Sequence, residues 1–60
     1  MMTDAEFEDF YESLAATLDS VTPEKRPLFL MKLALLLAKD SSQAERTMRC
    51  IVEANQNLSD

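Results

Sequence analysis

Sixty residues with no glycine, no histidine and one cysteine, Cys50, make at most one small domain, with neither an internal disulfide nor a metal cluster to staple it. At this size a monomer buries only about 60% of its unfolded surface, so stability has to come from regular helix packing together with oligomerisation. The net charge of −5 disfavours nucleic acid and anionic membrane surfaces, which are held chiefly through Lys and Arg, and suits a partner with a basic patch.

Hydrophobic residues make up 47% of the chain, which argues against disorder, and the absence of glycine argues against tight β-hairpins. Ala, Leu, Glu, Lys and Met, all strong helix formers, dominate instead, so the expected class is all-α. No basic segment followed by an apolar core and a cleavage site stands at the N-terminus, so no signal peptide is expected. The lone free cysteine agrees with a reducing cytoplasm.

Thr3-Asp4-Ala5-Glu6 has the spacing of a capping box, in which the Thr3 hydroxyl accepts from the Glu6 amide while Glu6 reaches back, and it predicts a first helix over about residues 4–19. Phe7, Phe10, Tyr11, Leu14 and Leu18 recur at steps of three and four and form one apolar stripe within an arc of about 100°. Asp4, Glu6, Glu8, Asp9, Glu12 and Asp19 fill the rest of the segment, which contains no basic residue. The plain reading of this acidic side is a solvated face; the sharper one is a docking face for a basic partner, carried by Glu8, Asp9 and Glu12.

Val21-Thr22-Pro23-Glu24 opens the next element, with Thr22 as a good N-cap and Pro23 suited to the first helical position. A joint this short predicts that the first two helices lie side by side and antiparallel. Pro27 allows either a separate turn over Pro23 to Arg26 or a kinked helix, and a continuous but bent helix over about residues 23–39 is expected.

That helix holds the run Leu28-Phe29-Leu30-Met31-Lys32-Leu33-Ala34-Leu35-Leu36-Leu37-Ala38, in which only Lys32 is charged. The run is shorter than the roughly 20 apolar residues needed to span a bilayer. As a helix it is apolar around most of its circumference and needs cover on more than one side. Lys25, Lys32 and Lys39 lie seven apart and draw a narrow polar line along it. Leu28, Phe29, Leu35 and Leu36 flank this line and are the candidates for self-association, while Leu30, Leu33 and Leu37 point the other way, toward the first and third helices.

Asp40-Ser41-Ser42-Gln43-Ala44-Glu45 offers two overlapping capping boxes, Asp40 with Gln43 and Ser42 with Glu45, and predicts a third helix over about residues 42–56. Ala44, Thr47, Met48, Ile51, Ala54 and Leu58 give it a weaker apolar stripe, and Glu45–Arg49 and Arg49–Glu53 are favourable i,i+4 pairs. The stretch from Asn55 onward is expected to fray.

Chemistry-bearing candidates are few. With no histidine, and with carboxylates on polar faces where burial does not tune them, no catalytic, cofactor-binding or metal-ligating residue is assigned. Cys50 has Arg46 and Arg49 nearby, which would favour a thiolate, but its plainer role is a small buried or half-buried apolar residue. Tyr11 reads as the edge of a core, and Met31 and Met48 as gap fillers.

With these residues placed, the chain resembles a family of short bacterial helical proteins of unknown function. The pattern is a Phe-Tyr pair, a Leu three residues on, a hydrophobic residue before a Ser/Thr helix cap, and a basic-Leu-x-Leu-Leu-Leu-Ala block. Here these are Phe10-Tyr11, Leu14, Val21-Thr22 and Lys32-Leu33-Ala34-Leu35-Leu36-Leu37-Ala38. The chain departs from the pattern at Leu18, where the family carries His, and at Lys39-Asp40-Ser41-Ser42, where it carries Asn and a Gly-containing turn. The resemblance implies a small accessory protein, encoded near flavin-dependent hydroxylases of aromatic compounds.

The expectation is therefore one domain over residues 1–60, a small three-helix protein (a helical hairpin plus a third helix) assembled as a dimer or larger bundle. Its expected role is that of a non-enzymatic, cytoplasmic interaction protein, a homo-oligomer that also serves a larger enzyme subunit, without nucleic acid, membrane or cofactor. The alternative is a small-molecule-binding or regulatory bundle whose ligand lies between Phe7, Tyr11, Phe29 and Met31.

Overall fold

A computed structural model describes residues 2–58 as three α-helices: α1 (Asp4–Ser20), α2 (Arg26–Asp40) and α3 (Ala44–Asn55), with a 3-10 turn at Pro23–Lys25. There is no strand among the described residues. The fold is a small all-α domain.

The start of α1 is fixed by the capping box that the sequence announces. The Glu6 amide donates to the Thr3 hydroxyl at 3.1 Å, and the Thr3 amide donates to the Glu6 carboxylate at 2.9 Å. These bonds hold the Glu6 carboxyl below its ordinary range, the backbone donor being the larger cause and the Thr3 side chain the second.

At the other end of α1 the chain has no glycine, and the first residue past the helix, Val21, is extended. Its amide still donates to the Leu18 carbonyl at 3.1 Å. The same ending recurs after α2, from Ser41 to Ala38, and after α3, from Gln56 to Glu53, each with an extended cap residue. The single positive φ in a described non-glycine residue belongs to Asn57, at 65°, a residue type that tolerates the left-handed region.

Arg26 joins α1 to α2. Its Nε donates to the carbonyl oxygens of Leu18 at 2.9 Å and Val21 at 3.0 Å, so a cation sits on the C-terminal end of α1, where orphan carbonyls and the helix dipole favour it. Half-buried Phe10, Leu14, Leu18 and Val21 on one side of this corner, and Arg26, Phe29 and Leu33 on the other, are the best-covered part of the chain.

The second helix differs from its expected form. Pro23 to Lys25 make a separate 3-10 turn, closed by the Lys25 amide on the Thr22 carbonyl and the Arg26 amide on the Pro23 carbonyl, and α2 proper begins at Arg26. Pro27 thereby falls in the first turn of α2, where a missing amide costs nothing because the first four amides of a helix have no internal acceptor.

The third helix begins at Ala44 rather than 42, and neither expected capping box closes it: Gln43 is the cap residue and makes no side-chain cap bond. Asp40 stays in the last turn of α2, and the Ser41 hydroxyl takes the Gln43 amide at 3.2 Å. Thr47 Oγ1 lies 2.6 Å from Ser41 Oγ and 3.0 Å from the Gln43 carbonyl oxygen, so Ser41 organises the turn instead.

The helices do not close on one another. Among the described residues, every pair twelve or more positions apart is separated by more than 8 Å between Cα atoms, so α1 and α2 meet at the Arg26 corner without the close side-by-side packing that the short joint predicts. No described residue is fully buried. The radius of gyration is 13.0 Å, against about 10 Å for a compact chain of this length. The accessible surface is 5848 Å², whereas a folded monomer of this mass exposes about 4,000 Å².

Two consequences are measurable. Thr3→Ala should cost about 1 kcal/mol of helix stability; because the Glu6 value is lowered by folding, the carboxylate half of the box contributes fully above the ordinary glutamate value of about 4.3 and is lost as the pH falls through the lowered one, while the Thr3 hydroxyl half does not titrate. Amide exchange at Glu6 in the Thr3→Ala variant checks the first, and exchange at the Thr3 amide, the donor to the carboxylate, followed down in pH checks the second. Arg26→Ala should cost roughly 1–3 kcal/mol through the loss of a charged donor to two carbonyls, read as a lower melting temperature; an unchanged melting temperature would mean that the corner holds without it.

Candidate functional site

The surface that needs an explanation is α2. Its helix is built from residues that favour burial, yet Leu28 is 61% exposed and Leu35 and Leu36 are each 62% exposed. Phe29, the fourth residue assigned to self-association, is half-buried beside Leu33 near the Arg26 corner. Leu30 and Leu37, expected to meet the other helices of the chain, are exposed as well, because α3 does not fold back over α2.

Between the corner and the outer side of α2 runs an open groove of about 350 Å³, lined by Val21, Leu28, Phe29, Leu33 and Leu36 together with Lys25 and Lys32. It combines an apolar floor with two cations one heptad apart. Phe29 belongs to it, but Phe7, Tyr11 and Met31, which the ligand-binding alternative placed with Phe29, do not line it.

The acidic residues of α1 are all exposed, Glu8, Asp9 and Glu12 among them. Six of the eleven carboxylates of the chain (Asp4, Glu6, Glu8, Asp9, Glu12 and Asp19) and none of its six cations lie on this one helix, so the rest of the molecule is close to neutral. The lysine line of α2 is exposed too.

On α3 the apolar side is wider than the sequence stripe suggests. Met48 is 68% and Ile51 71% exposed, and Val52, which the stripe did not include, is exposed beside them. Sequence periodicity marks such a face as apolar but assumes that something within the chain covers it.

A second open cleft, of about 730 Å³, brings Met2 and Glu6 at the start of α1 opposite Asp40 to Gln43, Arg46, Thr47 and Cys50. Cys50 is exposed, where a small buried or half-buried apolar role was expected, since α3 leaves even its apolar side uncovered. No group of three or more His, Cys, Asp or Glu side chains among the described residues is placed to hold a metal ion. No helix among the described residues is long and apolar enough to cross a membrane.

No family model matches the chain, and neither a curated protein nor a solved structure matches it.

Proposed function

We propose that this chain is a non-enzymatic helical interaction protein that self-associates through the exposed side of α2. The observation that carries the reading is area. The 5848 Å² that the single chain exposes exceeds the surface of a compact monomer of its mass by about 1,900 Å². Removing that excess from two copies buries roughly 3,800 Å², in the range of obligate homodimers. The leucines of α2 and the apolar side of α3 supply the greasy part of it, and burial of such side chains is the main driving force of association.

The resemblance of Phe10-Tyr11, Leu14 and the Lys32–Ala38 block to short accessory proteins supports a further reading, that the assembled form serves a larger enzyme such as a flavin-dependent aromatic hydroxylase. Co-elution of the purified chain with such an enzyme at mild salt tests that reading on its own.

For self-association the test is Leu35→Glu combined with Leu36→Glu. Each leucine contributes about 1.5–3 kcal/mol when buried, so the pair should weaken association at least about a hundredfold while circular dichroism still reports the helices. Sedimentation at micromolar concentration should find the wild type as a dimer or larger species and the variant as a monomer. A wild type that runs as a stable, well-folded monomer at that concentration sinks the proposal.

A further inference from the structure

We infer that the helix covering the α2 groove is α1 of a second copy, with the acidic edge of that α1 lying along the lysine line. The inference rests on the self-association reading and names the surfaces that meet.

Three observations carry it. The first is geometry on α1. Asp4, Glu8 and Glu12 follow one another at four-residue steps, and Asp19 falls on the same side, so these carboxylates share an arc of about 80° directly beside Tyr11. Phe7 and Tyr11 themselves are exposed. This side of α1 is therefore an apolar lip with an acidic border.

The second is its counterpart on α2. The groove holds Leu28, Phe29 and Leu36 together with Lys25 and Lys32, and Lys39 continues the line. Lys25, in the turn before α2, to Lys39 near its end spans about 21 Å and Asp4 to Asp19 about 22 Å, so the two charged borders are similar in length and opposite in sign. A two-fold contact of α2 with α2 centred on this groove would instead set one lysine line against the other, which like-charge repulsion opposes.

The third is an uncompensated local cost. Asp4–Glu8 and Glu8–Glu12 are like-charged i,i+4 pairs, a destabilising arrangement, and α1 has no cation of its own to relieve it. A row of lysines from another chain relieves it. By two-fold symmetry the contact occurs twice, α1 on the partner's α2 and the reverse.

Charge reversal tests this with the full chain. One variant carries Glu8→Lys and Glu12→Lys, the other Lys25→Glu and Lys32→Glu; each is checked for helix content, then sedimented alone and in equal mixture. Each alone should associate at least roughly tenfold more weakly than the wild type, and the mixture should recover association as a heterodimer, because both contacts become complementary again. If both variants self-associate as the wild type does, α1 does not cover α2, and this inference falls while self-association stands. If the wild type is itself monomeric at micromolar concentration, the reading beneath it falls first. Should either variant lose its helices, zero-length carbodiimide coupling on an equal mixture of isotopically labelled and unlabelled wild type decides. Mixed-isotope links between Glu8 or Glu12 and the lysine line support the inference; mixed-isotope links confined to other pairs overturn it.

Discussion

The contact on which the arrangement of this molecule depends is that of the Arg26 guanidinium with the carbonyl oxygens of Leu18 and Val21. The residue past α1, Val21, is extended rather than left-handed, so beyond the Val21 amide on Leu18 the last carbonyls of α1 can take a further donor. Arg26 provides it from the first residue of the following helix. One side chain thereby does two things: it satisfies the end of α1 and fixes where α2 departs. Among the described residues, the half-buried ones, from Phe10 to Leu33, gather on the two arms of this corner with Thr47 as the one exception.

Away from the corner, cover gives out. A helix as apolar as α2 has more greasy circumference than one neighbour can occupy, and α1 occupies only the side near Arg26, Phe29 and Leu33. Because α3 leaves the α2–α3 turn without folding back, its own apolar side and that of α2 are both left facing outward. The charges are divided as sharply as the greasy surface, with the carboxylates crowded on α1 and a ruled line of lysines on α2. Segregation of both kinds is the feature on which the proposed self-association rests.

What could be read from the sequence divides along the range of the interactions concerned. The Thr3–Glu6 box is legible because all its atoms lie within one turn, and the three helices are legible because periodicity and propensity agree. The break at Arg26 was legible as a pair of alternatives: Pro27 forbids a regular helix through that point but does not choose between a bend and a separate turn. At Ser41 the signal misled, because two overlapping boxes competed with a Ser41–Thr47 hydroxyl pairing that spans six residues. The Arg26 clamp gave no local signal at all, since an arginine eight residues from its acceptor looks like any other surface cation. On α2, the split of the leucines into two sides assumed that α3 would take one of them. That is a question of where whole helices go, and Leu30 and Leu37 carry no mark that answers it.

The absence of close approaches between residues distant in sequence also bears on time. Every contact that shapes the single chain is a helical turn, a cap or a corner closed over a few residues, and such events take from tens of nanoseconds to a few microseconds. No long conformational search stands between the disordered chain and the open three-helix arrangement. On the proposed self-association, cover for the leucines of α2 would arrive by diffusion, and the slow step would be an encounter whose rate rises with the number of molecules present. Under that proposal abundance, more than chain topology, would govern how long a newly made copy stays exposed to proteases and to the wrong partners.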